Sequence, residues 1–583
     1  MTSPAPYLSA AIQFEPTLFD KSGNVSSLLT LVTEAAVFGA KLITTPEMAT
    51  TGYCLYDYDE AASVVETIPG PTTDRFAEVT REHGCFVVIG MPEIDPQTGL
   101  FYNSAVLIGP DGIVGTHRKT HSYIAEPKWA APGNLGHVVH DTEIGRIALL
   151  ICMDIHFVET ARVVALDGAD VICHISNWLA ERTPAPYWIS RAFENDCYVM
   201  ESNRWGLERT VQFSGGTCII EPDGTIAASL DSGDGIVYAT IDPARSRRPH
   251  PAGERRPELY RELQSNTFLW NPLDFFSLYG HQPLPTGTRT EVTVVQSTPT
   301  ESVQANLAAI DDVMSAASPG SVLVFPELSV TGPVSSTRHP SSCAETVDGE
   351  SIAHVAATAA RTSTTVVVGI AEVDGGHIYN TAVVVGPTGV LGTYRQTHVA
   401  PTDAELFAPG SEWTVLDLEV GRVGILIGND ALFPEAGRVL ALRGCDLIVC
   451  PAAMVAPVGA NPGTSIPHPG DILTGADPMH WHHMRVRGGE NNVWFAFANA
   501  YDVDRGLLGR SGVFGPDTFA FPRGESTVSE GVGTATVVVD TTNLETVYPT
   551  NVVRRKDLVA MRLPHHYAAL SAVSPVEVDA LVR

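Results

Sequence analysis

The chain has 583 residues, 44% of them hydrophobic and 17% charged, and carries a formal net charge of −30. One hydrophobic core stops growing at roughly 250 to 300 residues, so two large folded domains are expected and a disordered chain is excluded. The acidity argues against a surface that tracks nucleic-acid phosphates, and no apolar run in the sequence approaches the roughly 18 residues of a membrane span.

In chain order, the opening MTSPAPYLSAAIQFEP shows neither a basic leader nor an apolar signal core, from which a cytoplasmic protein is expected. NVSSLLTLVTEAAVFGA follows with helical spacing, then the strand-length runs LITT and CFVVIG. YNSAVLIGPDGIVGTHRK reads as two strands around a PDG turn, an antiparallel hairpin. RIALLIC is a further apolar strand and ETARVVALDGA a further helix. Strands alternating with helices favour an α/β domain, and the hairpin makes its sheet mixed.

The whole pattern then recurs once. LITTPEMATTGY (42–53) pairs with LVFPELSVTGP (323–333), and YNSAVLIGPDGIVGTHRKTH (102–121) with YNTAVVVGPTGVLGTYRQTH (379–398). GRIALLICMDIHFVETAR aligns with GRVGILIGNDALFPEAGR, and RAFENDCYVMESN with RGGENNVWFAFAN. A single long repeat indicates duplicated domains, not a solenoid. RRPELYRELQSN (255–266) closes the first copy, FLWNPLDFFSLYGHQPLPTGTRT reads as a linker packed on a domain surface, and the boundary is set near residue 285. The second copy carries a longer Pro/Gly/His-rich stretch, PAAMVAPVGANPGTSIPHPGD, read as an inserted loop.

The nine cysteines stand singly, without the spacing of a zinc site or a disulfide framework. Most are expected to be small buried hydrophobes. Cys152 differs because it ends an apolar strand at a strand-to-helix corner, where a helix dipole is expected to favour the thiolate. Glu47 follows a buried strand and a proline, a setting that suits a general base but also a plain loop carboxylate. Lys119 ends the second hairpin strand, where a solvated edge lysine is the ordinary outcome. The segment HWHH (480–483) reads as surface or loop histidines and not as a metal site, since adjacent side chains diverge on any regular element.

Taken together, PEMATTGY, HRKTH and LLICMDIHFVETAR resemble the glutamate, lysine and nucleophile motifs of the nitrilase superfamily of carbon–nitrogen hydrolases, with RAFENDCYVMESNR and SGGTCIIEPDG as supporting blocks. The resemblance covers nearly the whole chain twice. It implies two tandem four-layer αββα sandwich domains, 1–285 active and 286–583 degenerate. It implies that Glu47 takes the thiol proton, Cys152 attacks the carbonyl carbon, and Lys119 with the backbone N–H of Met153 holds the oxyanion. Glu126 resembles the second glutamate that orients substrate and nucleophile. No cofactor or metal is implied.

The repeat sets Glu327 opposite Glu47, Gln396 opposite Lys119, Gly428 opposite Cys152 and Asp403 opposite Glu126, so the second copy is expected to be silent. Superfamily domains usually pair, which implies that the fused copy stands in for a partner as an intramolecular pseudo-dimer; a further homo-oligomer is compatible with this. The implied substrate is a small amide or N-carbamoyl compound, because Asp154 stands two residues after the cysteine where nitrilases more often carry Trp-Glu. Nitrile hydrolysis and a non-catalytic binding or scaffold protein stay open as alternatives. Tyr53, Trp178 and the loop 181–188 are expected to line the pocket, with Arg182 as a clamp for a substrate carboxylate or else a solvated loop residue.

Overall fold

The structure is a computed structural model that describes residues 4–123, 125–179, 183–247, 254–265, 283–455, 479–516, 524–528, 531–543 and 552–572. The described chain falls into two compact units that divide between Ala252 and Gly253.

In the first unit one six-stranded sheet runs, in spatial order, Gly235–Ile241, Tyr7–Gln13, Leu42–Thr44, Phe86–Ile94, Phe101–Gly109, Gly112–Arg118. Three adjacent inner strands, Tyr7–Gln13, Leu42–Thr44 and Phe86–Ile94, are parallel, and the hairpin and the Gly235–Ile241 edge are antiparallel, which is the expected mixed sheet. The second sheet runs Ile226–Leu230, Thr217–Ile220, Tyr198–Asn203, Val171–Ser176, Gly145–Ile151, Val139–Thr142, with parallel strands at its centre.

The two sheets pack face to face. Helices Lys21–Val37 and Pro71–His83 cover the outer face of the first sheet, and Val158–Leu166 and Pro186–Asn195 that of the second, giving four αββα layers. Helix Lys21–Val37 starts on an Asp20 cap that accepts from Gly23 N, and buries Val25, Leu28, Val32, Ala35 and Ala36 at helical spacing. Each large apolar side chain so buried stabilises the layer by roughly 1.5–3 kcal/mol. The hairpin turns at Pro110-Asp111 with Gly109 opposite Gly112, whose φ of +115° a side chain would resist.

The second unit repeats this design. Its sheets run Gly389–Arg395, His377–Gly386, Thr365–Asp374, Val322–Val324, Arg289–Gln296, Gly533–Asp540, and Val415–Leu418, Gly421–Ile425, Leu447–Ala452, Trp494–Asn499, Gly512–Phe514, Ser526–Thr527. Residues 254–265, read from sequence as the close of the first copy, pack within this second unit. There Arg255 pairs with Glu435 at 2.8 Å and Trp413 Nε1 donates to Leu259 O at 3.0 Å. Most of the linker sequence and of the Pro/Gly/His-rich stretch lies outside the described residues.

One histidine of the 480–483 segment departs from expectation. His483 is buried on helix Met479–Asn491 with its Nε2 3.0 Å from the Arg487 guanidinium one turn on, so it is neither a surface nor a loop residue. A single helical turn sufficed to give it a partner inside. Among the described residues no helix is long and apolar enough to cross a membrane.

Candidate active site

Strand Leu42–Thr44 ends in Thr45-Pro46 and delivers Glu47 into a turn whose next residue, Met48, takes a left-handed φ of +51°. The turn lies directly on Gly90, where a Cβ would stand 2.3 Å from Pro46 O and 2.7 Å from Glu47 Cα; only glycine permits that approach. Lys119 leaves the end of the hairpin with its N–H donated to Asn103 O. Glu126 opens a short 3₁₀ turn, Glu126–Lys128, and its Oε2 accepts from Tyr123 N at 3.0 Å.

These elements bring three buried charged groups together. Lys119 Nζ donates to Glu47 Oε1 at 2.8 Å and to Glu126 Oε1 at 2.6 Å. Asn103 Nδ2 donates to the same two oxygens at 2.6 and 3.3 Å, and the Tyr53 hydroxyl to Glu126 Oε1 at 2.8 Å. Asn177 completes the cradle, its backbone N–H on Glu47 Oε2 at 2.8 Å and its amide on Glu47 O at 3.0 Å. Burying an ammonium is costly unless carboxylates face it, and here two do. Burial pulls the Lys119 pKa down, but the facing carboxylates of Glu126 and Glu47 outweigh it and hold the group well above its usual range. One cation does not satisfy two carboxylates: burial, helped by Glu47, raises the Glu126 pKa despite Lys119. Burial likewise pushes the Tyr53 phenol well up, so it acts as a neutral donor.

Cys152 follows strand Gly145–Ile151 and starts the 3₁₀ turn Cys152–His156, with φ +45°. A non-glycine residue there costs on the order of 1–3 kcal/mol and needs anchoring. Asp154 supplies the anchor. Its Oδ2 accepts from Ile151 N at 3.1 Å and faces His117 Nε2 at 2.8 Å, while Oδ1 accepts from Thr120 Oγ1 at 2.8 Å and His121 N at 3.0 Å. Burial alone would raise this carboxyl, but the hydrogen bonds and charge of His117 and His121 hold it well below the usual carboxylate range.

The expected thiolate is not what the site holds. Burial first, and then the Glu47 charge, push the Cys152 thiol well above the ordinary cysteine range, with Lys119 opposing. The α-helix proper begins only at Val158, beyond the 3₁₀ turn, so its dipole does not start at the sulfur. A buried thiol beside carboxylates stays protonated until a base takes the proton.

Of the other expected residues, Met153 is buried in the same turn. Trp178 is buried, its backbone N–H on Asn203 Oδ1 at 2.8 Å and its ring stacked on His156 at 4.8 Å. His156 is itself pulled down to about 3, chiefly by burial, and so stays neutral. Arg182 lies outside the described residues. The sequence reading passed over Asn103, Asn177 and Asp154 as site members; the exact recurrence of Tyr-Asn in both copies was a usable signal for Asn103.

In the second unit the corner keeps its shape, with Gly428 at φ +42° and Asp430 accepting from Ile427 N at 3.0 Å and His398 N at 2.7 Å. Its side-chain partners differ. Asn380 Nδ2 still donates to Glu327 Oε1 at 2.8 Å, but Gln396 reaches Ile427 O instead, and Glu327 has no cation beside it among the described residues.

Comparison with known proteins agrees with this duplication. The family model described as carbon–nitrogen hydrolase matches residues 8–249 and again 291–544. A protein named nitrilase from Pyrococcus abyssi is 34% identical over 259 residues, covering 43% of this chain and 98% of that protein. The omega-amidase NIT2 of Homo sapiens is 30% identical, covering 38% of this chain and 84% of its own length. Among solved structures, an amidase from Nesterenkonia sp. aligns with a TM-score of 0.39 and 22% identity over 45% of this chain and 97% of that one. The chain thus belongs to the carbon–nitrogen hydrolase family of the nitrilase superfamily, and carries its domain twice.

Proposed function

We propose that the first unit hydrolyses a carbon–nitrogen bond of a small amide or N-carbamoyl compound through a thioester on Cys152. The observation that carries this reading is the buried cluster of Glu47, Lys119 and Glu126, set together with a buried Cys152 whose thiol burial and Glu47 push up. Glu47 takes the thiol proton as Sγ bonds to the carbonyl carbon, and Lys119 Nζ–H with Met153 N–H holds the oxyanion. The protonated Glu47 hands its proton to the leaving nitrogen, and ammonia or an amine departs as the C–N bond breaks. Water then attacks the thioester, Glu47 accepts its proton and returns it to the sulfur, and the acid leaves. Glu126, held by Lys119, Tyr53 and Asn103, orients the substrate nitrogen against this array.

The second unit has no sulfur at Gly428 and no charge at Gln396, so it forms no thioester and stabilises no oxyanion. Hydrolysis of a nitrile is the second reading, favoured by the name nitrilase that the Pyrococcus abyssi relative carries. Incubating wild type and Cys152→Ala with panels of amides, N-carbamoyl compounds and nitriles, and following ammonia and intact mass, tests both. Turnover confined to wild type, with an acyl adduct on Cys152, is expected for one amide-type class; turnover of nitriles alone selects the second reading, and neither turnover nor adduct in any panel overturns both in favour of a binding protein.

A further inference from the structure

Beneath Cys152 lies a buried polar pair that this chemistry leaves unused. His174 and Glu201 are register partners on the parallel strands Val171–Ser176 and Tyr198–Asn203, and both are wholly buried. His174 Nδ1 faces Glu201 Oε2, the Ser176 hydroxyl donates to Glu201 Oε1, and His174 Nε2 lies 3.0 Å from Cys152 O. A carbonyl only accepts, so Nε2 carries the hydrogen. Burial pulls this imidazole's pKa down, but Glu201 outweighs it and holds the ring above its usual range.

The duplication separates what the fold needs from what the chemistry needs. The buried ion pair Arg191–Glu194 recurs as Arg487–Glu490, Asp154 as Asp430, and Asn103 as Asn380. Where His174 and Glu201 stand, the second unit has Cys450 paired in register with Phe497, and Ala452 replaces Ser176. The fold therefore closes without the pair, and the pair has disappeared together with the nucleophile.

We infer that His174, held by Glu201, is a positioning residue that clamps the Cys152–Met153 peptide so that the Met153 N–H points at the oxyanion. The peptide is planar and trans, with its C=O and N–H on opposite edges, so fixing the Cys152 oxygen fixes the direction of the Met153 hydrogen. Donation into that carbonyl also polarises the peptide and strengthens its N–H as a donor. The left-handed Cys152 sits between two holds, Asp154 on the preceding N–H of Ile151 and His174 on the carbonyl that follows. This inference rests on the hydrolase reading above.

The test uses full-length wild type, H174F, H174Q and the double variant H174C/E201F, which installs the pair that the second unit packs at the same strand positions. For each, kcat and KM on the best substrate of the panel are measured alongside the rate of Cys152 alkylation by iodoacetamide, all per folded molecule. Loss of an oriented oxyanion donor predicts a kcat lower by about 10- to 100-fold with KM nearly unchanged in H174F and H174C/E201F. Alkylation develops no oxyanion and should stay within about threefold of wild type. H174Q, whose amide nitrogen takes the place of Nε2, should recover most of kcat. Unchanged kcat, or hydrolysis and alkylation falling in parallel, overturns the clamp. Should H174F fail to fold, the double variant decides alone. A wild type that is alkylated at Cys152 yet turns over nothing overturns the hydrolase reading itself, and the clamp falls with it.

Discussion

The corners at Cys152 and Gly428 have almost the same backbone, at φ +45° and +42°, followed by the same 3₁₀ turn and the same buried aspartate anchor. What separates them is a layer of charge and hydrogen bonding around that backbone. Lys119, Glu126, Cys152, His174 and Glu201 become Gln396, Asp403, Gly428, Cys450 and Phe497. The corner is thus a device of the fold, and catalysis is a set of side chains hung on it. Gly428 is informative in this light, because glycine removes the strain that a side chain at this φ imposes, strain worth keeping only where a nucleophile must sit.

The largest test moves the first site toward the second. On the proposed mechanism, Lys119→Gln should lower kcat by about 10²- to 10³-fold through loss of the cation that faces the oxyanion. It should also destabilise the unit, since Glu47 and Glu126 would be left buried without their cation. The reverse graft, Gln396→Lys with Gly428→Cys in a Cys152→Ala background, should give no ammonia and no acyl adduct by mass. A Cβ at 428 would stand 2.8 Å from Glu327 Oε2, so the carboxylate must withdraw, and Cys450 and Phe497 still occupy the place of the His174 clamp. Turnover by that graft would show that lysine and thiol suffice.

Much of this architecture is legible in the sequence. Period-2 and period-3.6 runs locate the strands and helices, and two matching copies turn single motifs into an ordered set. The cradle was not legible in the same way. Asn177 acts mainly through its backbone N–H, which no side-chain pattern reports, and His174 and Glu201 sit in apolar strands where only register reveals them as partners. The thiolate expectation failed for a related reason. It weighed a local helix dipole, whereas Glu47, more than 100 positions earlier in sequence, sets the electrostatics at Cys152 together with burial.

A smaller test concerns what an unpartnered carboxylate costs. Burial, aided by Asp403, raises Glu327 to about 7. A raised folded-state value means the folded form holds its proton more tightly. Stability from this group is therefore full below the unfolded value near 4.5, declines as pH rises, and is lost above about 7. Glu327→Gln, neutral at every pH, should stabilise the second unit at pH 8 by on the order of 1–3 kcal/mol and not at all at pH 4. Hydrogen exchange of strand Gly421–Ile425 at the two pH values reads this directly. Equal effects at both would mean that Glu327 is ionised and partnered in the folded unit.

The smallest step is Tyr53→Phe. Its hydroxyl is one of three donors on Glu126 Oε1, at 2.8 Å, beside Lys119 at 2.6 Å and Asn103 at 3.3 Å, and the second unit carries Pro333 at the aligned position. Removing one neutral donor while the charged one remains should cost about 1 kcal/mol, a roughly three- to tenfold fall in kcat/KM with little change in thermal midpoint. A loss as large as that of Lys119→Gln would mean that Glu126 takes part in proton transfer and does not merely orient substrate. The difference between the two units would then have to be drawn at Glu126 and Asp403, one residue further out than the thiol and the lysine.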